Sequence, residues 1–321
     1  ATLPPPEPEA AEATVSVQGQ SAPIVSSSVK EIATPPVPPL SPSERAALLD
    51  ASALVLRSAL VNILCYAPAG SPLRSISGSG VIIAFKGIIL TNAHIAQNFL
   101  LKNRGISCLI RAGSPAVDAY EASLIYIPLA WVKENAEILT EANPSGTGEY
   151  DFAFLSISKS VTKDKLPSSF PFISLATSPS NIGTPVVIAS YGAQFLESSQ
   201  IQSSLFPTVV FGSVKNVFTF ASTSVDVLAL GGSAAAQEGS SGGGVSDMKR
   251  ELIGTITTST TEGTTDTRKL DAITASYIRA EYRRETGESL STLLSKSISE
   301  AIADFASKMP ALESILTAQL Q

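Results

Sequence analysis

The sequence predicts a mostly β domain, a sandwich or a barrel, framed by a short helix before it and a helical segment after it. Three observations predict this. From Leu54 to about Ile273, short apolar stretches alternate with glycine, proline or serine. At Ser41 a helix start signal precedes them, and after Ile273 the apolar spacing changes from that of strands to that of helices. The chain has 321 residues, 44% of them hydrophobic and 16% charged, enough for one large domain or two small ones with tails.

Residues 1–40 are rich in proline, alanine, serine and glutamate, with Pro4-Pro5-Pro6, Pro35-Pro36 and Pro38-Pro39. Such a segment buries too little apolar surface to offset chain entropy and reads as a disordered, extended linker. Linkers of this kind often separate a membrane anchor from a folded domain; an anchor here would precede residue 1. The chain opens on Ala1 rather than methionine, which fits a cleaved secretory signal or a trimmed chain equally. The longest apolar run, Ala51 to Ala67, is interrupted by Arg57 and Asn62 and is shorter than the roughly 20 residues that span a bilayer.

Ser41-Pro42-Ser43-Glu44 is a capping box with proline at the first helical position, predicting a helix from about Pro42 to Ala53. Eleven strands are expected: 61–66, 80–85, 88–91, 106–111, 122–126, 152–157, 186–190, 208–214, 225–228, 244–246 and 252–257. Beyond them Leu290, Leu293, Leu294, Ile298, Ile302 and Phe305 recur at three- and four-residue spacing, so 275–321 is expected to fold as two or three helices. The organisation expected is therefore a linker over 1–40, a folded domain over 41–274 and a helical extension over 275–321.

The net charge of −6, from 22 Lys+Arg against 28 Asp+Glu, and the absence of a basic cluster longer than a pair exclude nucleic acid as an expected partner. One histidine and two distant cysteines cannot supply closely spaced zinc ligands, so no metal or other cofactor is expected.

That single histidine, His94, comes after an apolar strand in Ile89-Leu90-Thr91-Asn92-Ala93-His94. An imidazole suits general base chemistry near neutral pH, because its unperturbed pKa is about 6.5. Gly239-Ser240-Ser241-Gly242-Gly243-Gly244 places a serine in a glycine-rich turn before a strand, where the backbone can turn its amides toward one point. Asp151 opens the alternating strand Phe152-Ala153-Phe154-Leu155, which favours a buried carboxylate. Taken singly, each has a blander reading: a core histidine, a flexible turn, an acid in a loop.

Together these motifs resemble the trypsin-like, chymotrypsin-fold serine peptidases, and within them the HtrA-type bacterial branch. Gly78-Ser79-Gly80-Val81 with Thr91-Asn92-Ala93-His94 is similar to the histidine motif, Asp151-Phe152-Ala153 to the aspartate motif, and Gly239-Ser240-Ser241-Gly242-Gly243 with Glu251-Leu252-Ile253-Gly254 to the nucleophile motif. The order His–Asp–Ser matches that fold and is unlike the serine-first order of α/β-hydrolase esterases. The resemblance implies two six-stranded antiparallel β-barrels and a catalytic triad of His94, Asp151 and Ser241. It also implies an oxyanion hole from the amides of Gly239 and Ser241, and protein or peptide substrates.

It further implies a primary pocket with Ala235 at its base, six positions before the nucleophile, and Thr255, Ile256 and Thr257 along one wall. Lacking charge there, the pocket is expected to accept small or medium aliphatic residues. Activated trypsins carry aspartate just before the nucleophile; Ser240 stands here instead, so activation by a buried new amino terminus is not expected. No PDZ domain is expected in 275–321. Cys65 and Cys108 fall on two strands of the expected first barrel; two buried thiols or one bridge are both open, and an oxidising, extracytoplasmic compartment favours the bridge. The main rival is a catalytically silent double-barrel binding module at the cell envelope.

Overall fold

The computed structural model describes residues 40–140, 146–220, 223–259, 263–318 and 320. Apart from Leu40, the expected linker lies outside the described residues. The capping box forms: the Ser41 hydroxyl accepts from the Glu44 amide at 3.3 Å, and the Glu44 carboxylate accepts from the Ser41 amide at 2.8 Å. Helix α1 (Pro42–Ala59) continues past the expected end at Ala53 because tertiary contacts reward it. Leu56 and Ala59 are completely buried, and the Ser52 and Ser246 hydroxyls meet at 2.8 Å in the interior.

Next come six strands: β1 (Leu60–Tyr66), β2 (Ile76–Ala84), β3 (Ile88–Thr91), β4 (Ser107–Gly113), β5 (Ala116–Tyr126) and β6 (Ala153–Ser160). They close into a barrel of order β1-β2-β3-β6-β5-β4. A short helix α2 (Ala93–Ala96) leaves β3, and α3 (Leu129–Asn135) lies between β5 and β6. Gly78 lies close under α2: a Cβ there would stand 2.3 Å from Cδ1 of Ile95, so a larger residue would require the Ile95 side chain to shift. In the antiparallel pairing of β1 with β4, Cys65 lies opposite Cys108, and the two form a disulfide.

The second β unit comprises β7 (Pro185–Ser190), β8 (Thr208–Ser213), β9 (Asn216–Phe218), β10 (Val227–Ala229), β11 (Gly244–Asp247), β12 (Leu252–Ser259) and β13 (Leu270–Thr274). Its order is β8-β7-β11-β12-β13-β10-β9. The mostly β, chymotrypsin-like fold expected from the sequence is thus present, with one difference. The second unit is a seven-stranded sheet ending in β8 and β9, where a closed six-stranded barrel was expected. β9 and β13 were not among the expected strands.

Helix α4 (Ser198–Ser203) joins β7 to β8. After β13 the chain turns directly into α5 (Ala275–Thr286), because the Thr274 hydroxyl caps it by accepting from the Tyr277 amide at 3.0 Å. The tail continues as α6 (Leu290–Ser295), α7 (Ile298–Ala306) and α8 (Met309–Ala318), four helices rather than two or three. Leu290, Leu293, Phe305 and Leu316 supply its buried face, and α7 lies on β5 and β6.

Candidate active site

The pairing of β3 with β6 sets Thr91 opposite Ala153. In an antiparallel pair, the chain leaving one strand runs beside the chain entering the other. The register therefore brings the turn into α2, carrying His94, against the start of β6, carrying Asp151. The Asn92 side-chain amide fixes the junction by donating to the Asp151 carbonyl at 2.8 Å. The Tyr277 hydroxyl of α5 accepts from the amide of Tyr150, a residue with φ of 56°.

Asp151 is buried and its carboxylate accepts three hydrogen bonds. One oxygen takes the His94 amide at 3.0 Å; the other takes His94 Nδ1 at 2.8 Å and the Thr257 hydroxyl at 2.8 Å. A carboxylate only accepts, so Nδ1 carries the proton and Nε2 of the neutral ring is left as the base. Burial opposes the charge on Asp151, but the His94 ring and the hydrogen bonds from His94 and Thr257 outweigh it and hold its pKa below 3.8. Burial also opposes protonation of His94, and the Asp151 charge and hydrogen bond outweigh that, raising the imidazole above 6.5. The His94 side chain keeps 27% of its surface exposed, so one edge of the ring remains reachable.

Ser241 sits in the turn before β11. Its carbonyl accepts from the Ser79 amide of β2 at 2.8 Å, and the Ser79 carbonyl accepts from the Thr91 hydroxyl at 2.7 Å, three residues before His94. Two chained hydrogen bonds thus tie the serine turn to the strand that delivers the histidine. Among the described residues, no hydrogen bond joins the Ser241 hydroxyl to His94.

Most backbone polar groups around Ser241 have a partner. The Glu238 carbonyl accepts from Ala193, the Gly239 carbonyl from the Ser79 hydroxyl, the Ser240 carbonyl from Gly243 and the Ser241 carbonyl from Ser79. The Ser240 amide donates to Gln237 and the Gly242 amide to Ile256. Among the described residues, the amides of Gly239 and Ser241 donate to none. Because a trans peptide points its N–H opposite its C=O, Ala193 on the Glu238 carbonyl turns the Gly239 N–H the other way. Gly239 has φ of 87°, and a Cβ there would stand 2.8 Å from the Tyr191 carbonyl, so the turn requires glycine.

Ser240 is fully buried and its hydroxyl accepts from that of Ser190 at 3.1 Å. Uncharged hydrogen bonding therefore occupies the position where activated trypsins carry an aspartate.

The residues expected to form the primary pocket are not an open surface. Ala235 and Thr255 are fully buried, Ile256 is 1% exposed and Thr257 6%. The Thr255 hydroxyl donates to the Gly243 carbonyl and that of Thr257 to Asp151. The Thr257 hydroxyl serves the carboxylate beside His94, a contact that the sequence reading did not include. Reasoning from the sequence also missed Arg268, 6% exposed, whose guanidinium donates to the Gln194 side chain and to the carbonyl of Ala236, the residue after Ala235. A readable signal for Thr257 was the Thr-Ile-Thr alternation of β12, which puts two hydroxyls on one buried face that must find partners.

A family model described as a trypsin-like peptidase domain matches residues 78–254, a span that contains His94, Asp151 and Ser241. No curated protein matches the chain. Solved structures similar to it include the active form of the Rv3671c protease from M. tuberculosis, at 18% identity over 79% of this chain and 91% of that one, with a TM-score of 0.47. The inactive form of the same protease is similar at 17% identity over 78% and 100%, with a TM-score of 0.44.

Proposed function

The chain belongs to the trypsin-like peptidase domain family, and on that premise we propose that it is a serine endopeptidase acting through Ser241, His94 and Asp151. The Ser241 hydroxyl attacks the scissile carbonyl while Nε2 of His94 takes its proton. Asp151, accepting from Nδ1, stabilises the imidazolium. The negative oxygen of the tetrahedral intermediate is received by the Gly239 and Ser241 amides, each such donor worth about 3–4 kcal/mol in comparable enzymes. The imidazolium then gives its proton to the leaving amine, an acyl-enzyme forms on Ser241, and water activated by His94 hydrolyses it.

The observation that carries this reading is the sole histidine of the chain, held at 2.8 Å by a buried carboxylate with its other nitrogen left as base. The disulfide supports an extracytoplasmic location, where such bonds persist. Among the described residues, no helix is long and apolar enough to cross a membrane. The uncharged Ala234-Ala235-Ala236 stretch supports cleavage after small or medium aliphatic residues, and the Arg268 cation bonded to the Ala236 carbonyl disfavours lysine or arginine there.

A fluorophosphonate probe tests the reading. Wild type should gain one adduct by intact mass, and Ser241→Ala and His94→Ala should gain none. An unlabelled wild type, or labelling that survives Ser241→Ala, would sink it. Turnover of a peptide library in the same preparation checks the specificity. The rival, a catalytically silent double-barrel module at the cell envelope, draws on the unformed Ser241–His94 hydrogen bond and requires an unlabelled wild type.

A further inference from the structure

We infer that Ser79, on β2 of the first barrel, is the positioning residue of the oxyanion loop, holding the serine turn against β2 by neutral hydrogen bonds. The inference rests on the peptidase reading above and names the residue that makes its oxyanion hole work.

Ser79 has no exposed surface, and every polar group it owns is committed to the site. Its hydroxyl accepts from the Tyr191 amide at 2.8 Å and donates to the Gly239 carbonyl at 2.8 Å. A hydroxyl has one proton; since Tyr191 N–H is a donor, that proton lies on the Gly239 side and the orientation is fixed. Its amide donates to the Ser241 carbonyl at 2.8 Å, and its carbonyl accepts from Thr91. One residue of the first barrel thus grips the carbonyls of both residues whose amides are to receive the oxyanion.

Gly239 makes the grip necessary. At φ of 87° and without a Cβ, its flanking peptides rotate more easily than those of any other residue. The preceding peptide is held by Ala193 on the Glu238 carbonyl; the next one is held by Ser79 together with the Gln237 carbonyl on the Ser240 amide. Without the Ser79 hydroxyl, the Gly239 carbonyl and Tyr191 amide both lose their partner in a buried place, and the loop gains by rotating toward another donor. Ser190 and Ser240 complete the support. Neither these hydroxyls nor that of Ser79 titrates in the working range, so the support is independent of pH.

Ser79→Ala should lower kcat by about 100-fold, the scale of a misplaced rather than deleted group. KM should change by less than about threefold, and the acid limb of the pH profile should keep its midpoint, because His94 and Asp151 are untouched. Ser79→Cys, similar in size with a weaker donor, should retain folding and fall between the two. The inference is overturned if Ser79→Ala keeps kcat within about twofold of wild type, or if its loss comes with a shifted acid midpoint, which would place the effect on His94. If the alanine variant does not fold, Ser79→Cys decides, and wild-type kcat in it is overturning. A wild type that takes no fluorophosphonate defeats the peptidase reading itself, and this inference with it. A labelled wild type with an insensitive Ser79 defeats this inference alone.

Discussion

The two β units contribute to the site by different physical means. The first barrel's share is a charged pair: the Asp151 carboxylate accepts from the His94 amide and ring, the Thr257 hydroxyl reaches it from β12 of the second sheet, and both ionisable groups are shifted by the contact. Apart from that hydroxyl, the second unit contributes mainly backbone. Ser241 stands in a turn shaped by the left-handed Gly239, where among the described residues the Gly239 and Ser241 amides are left over while the neighbouring carbonyls have found partners. An arrangement of charges is sensitive to exchanges that alter charge without altering shape. An arrangement of peptide planes is sensitive to a single added methyl group. The two halves should therefore fail under opposite kinds of substitution.

The largest effect is expected from Asp151→Asn. The amide is nearly isosteric and Asn92 still fixes the junction, so thermal stability should fall far less than activity. The asparagine side chain can donate to Nδ1, leaving the proton on Nε2, where it cannot serve as base. Turnover should drop by about 10,000-fold, the loss that the equivalent exchange causes in a family member. A loss under tenfold in steady-state peptide hydrolysis would show that side-chain electrostatics do not govern the first half of the site.

Gly239→Ala is the matching break in the second sheet. The new Cβ meets the Tyr191 carbonyl at 2.8 Å and must occupy φ of 87°, which costs about 1–2 kcal/mol in the left-handed region even before the clash. Rotation of that peptide removes one oxyanion donor, so kcat should fall by about 100- to 1,000-fold with the pH profile unmoved. Measured beside Asp151→Asn, it separates a broken donor from a broken base. An alanine variant with wild-type kcat would show that the Gly239 amide is not used.

The same division governs how much was legible in the sequence. His94, Asp151 and Ser241 each sit in a local pattern of strand and turn, and their registers need only short-range information. The capping box at Ser41 was legible for the same reason. The features that escaped depend on residues far apart in the chain. β9 is three residues long, too short to show a period. β13 is five residues long, carries Asp271 and follows the basic pair Arg268-Lys269, so its apolar run is short. α1 outran its expected end because Leu56 buries against β11, far along the chain. Ser79, within a motif already noticed, showed nothing of its role until β2 lay beside the serine turn. The same holds for Thr257, whose hydroxyl reaches Asp151 across 106 residues of sequence.

The smallest expected effect, and the sharpest test of the first half, is in the pH profile. A base must be neutral to act, so wild-type activity should decline as pH falls through the raised pKa of His94, with a midpoint above 6.5. Asp151 stays ionised throughout, since its own pKa lies below 3.8. In Asp151→Asn the carboxylate that raises His94 is gone and burial, which favours the neutral ring, remains. The midpoint of the residual activity should therefore move down. Stability carries the same signs. The contribution of protonated His94 is complete below its ordinary pKa and is lost as pH rises through the raised one; that of ionised Asp151 is lost as pH falls through its lowered value. The gap in melting temperature between wild type and Asp151→Asn should thus be widest between those two values and narrow on either side. A midpoint that moves upward in the variant would mean that the His94 ring is not governed by the carboxylate at 2.8 Å, and the distinction between a charge-built and a backbone-built half would fall.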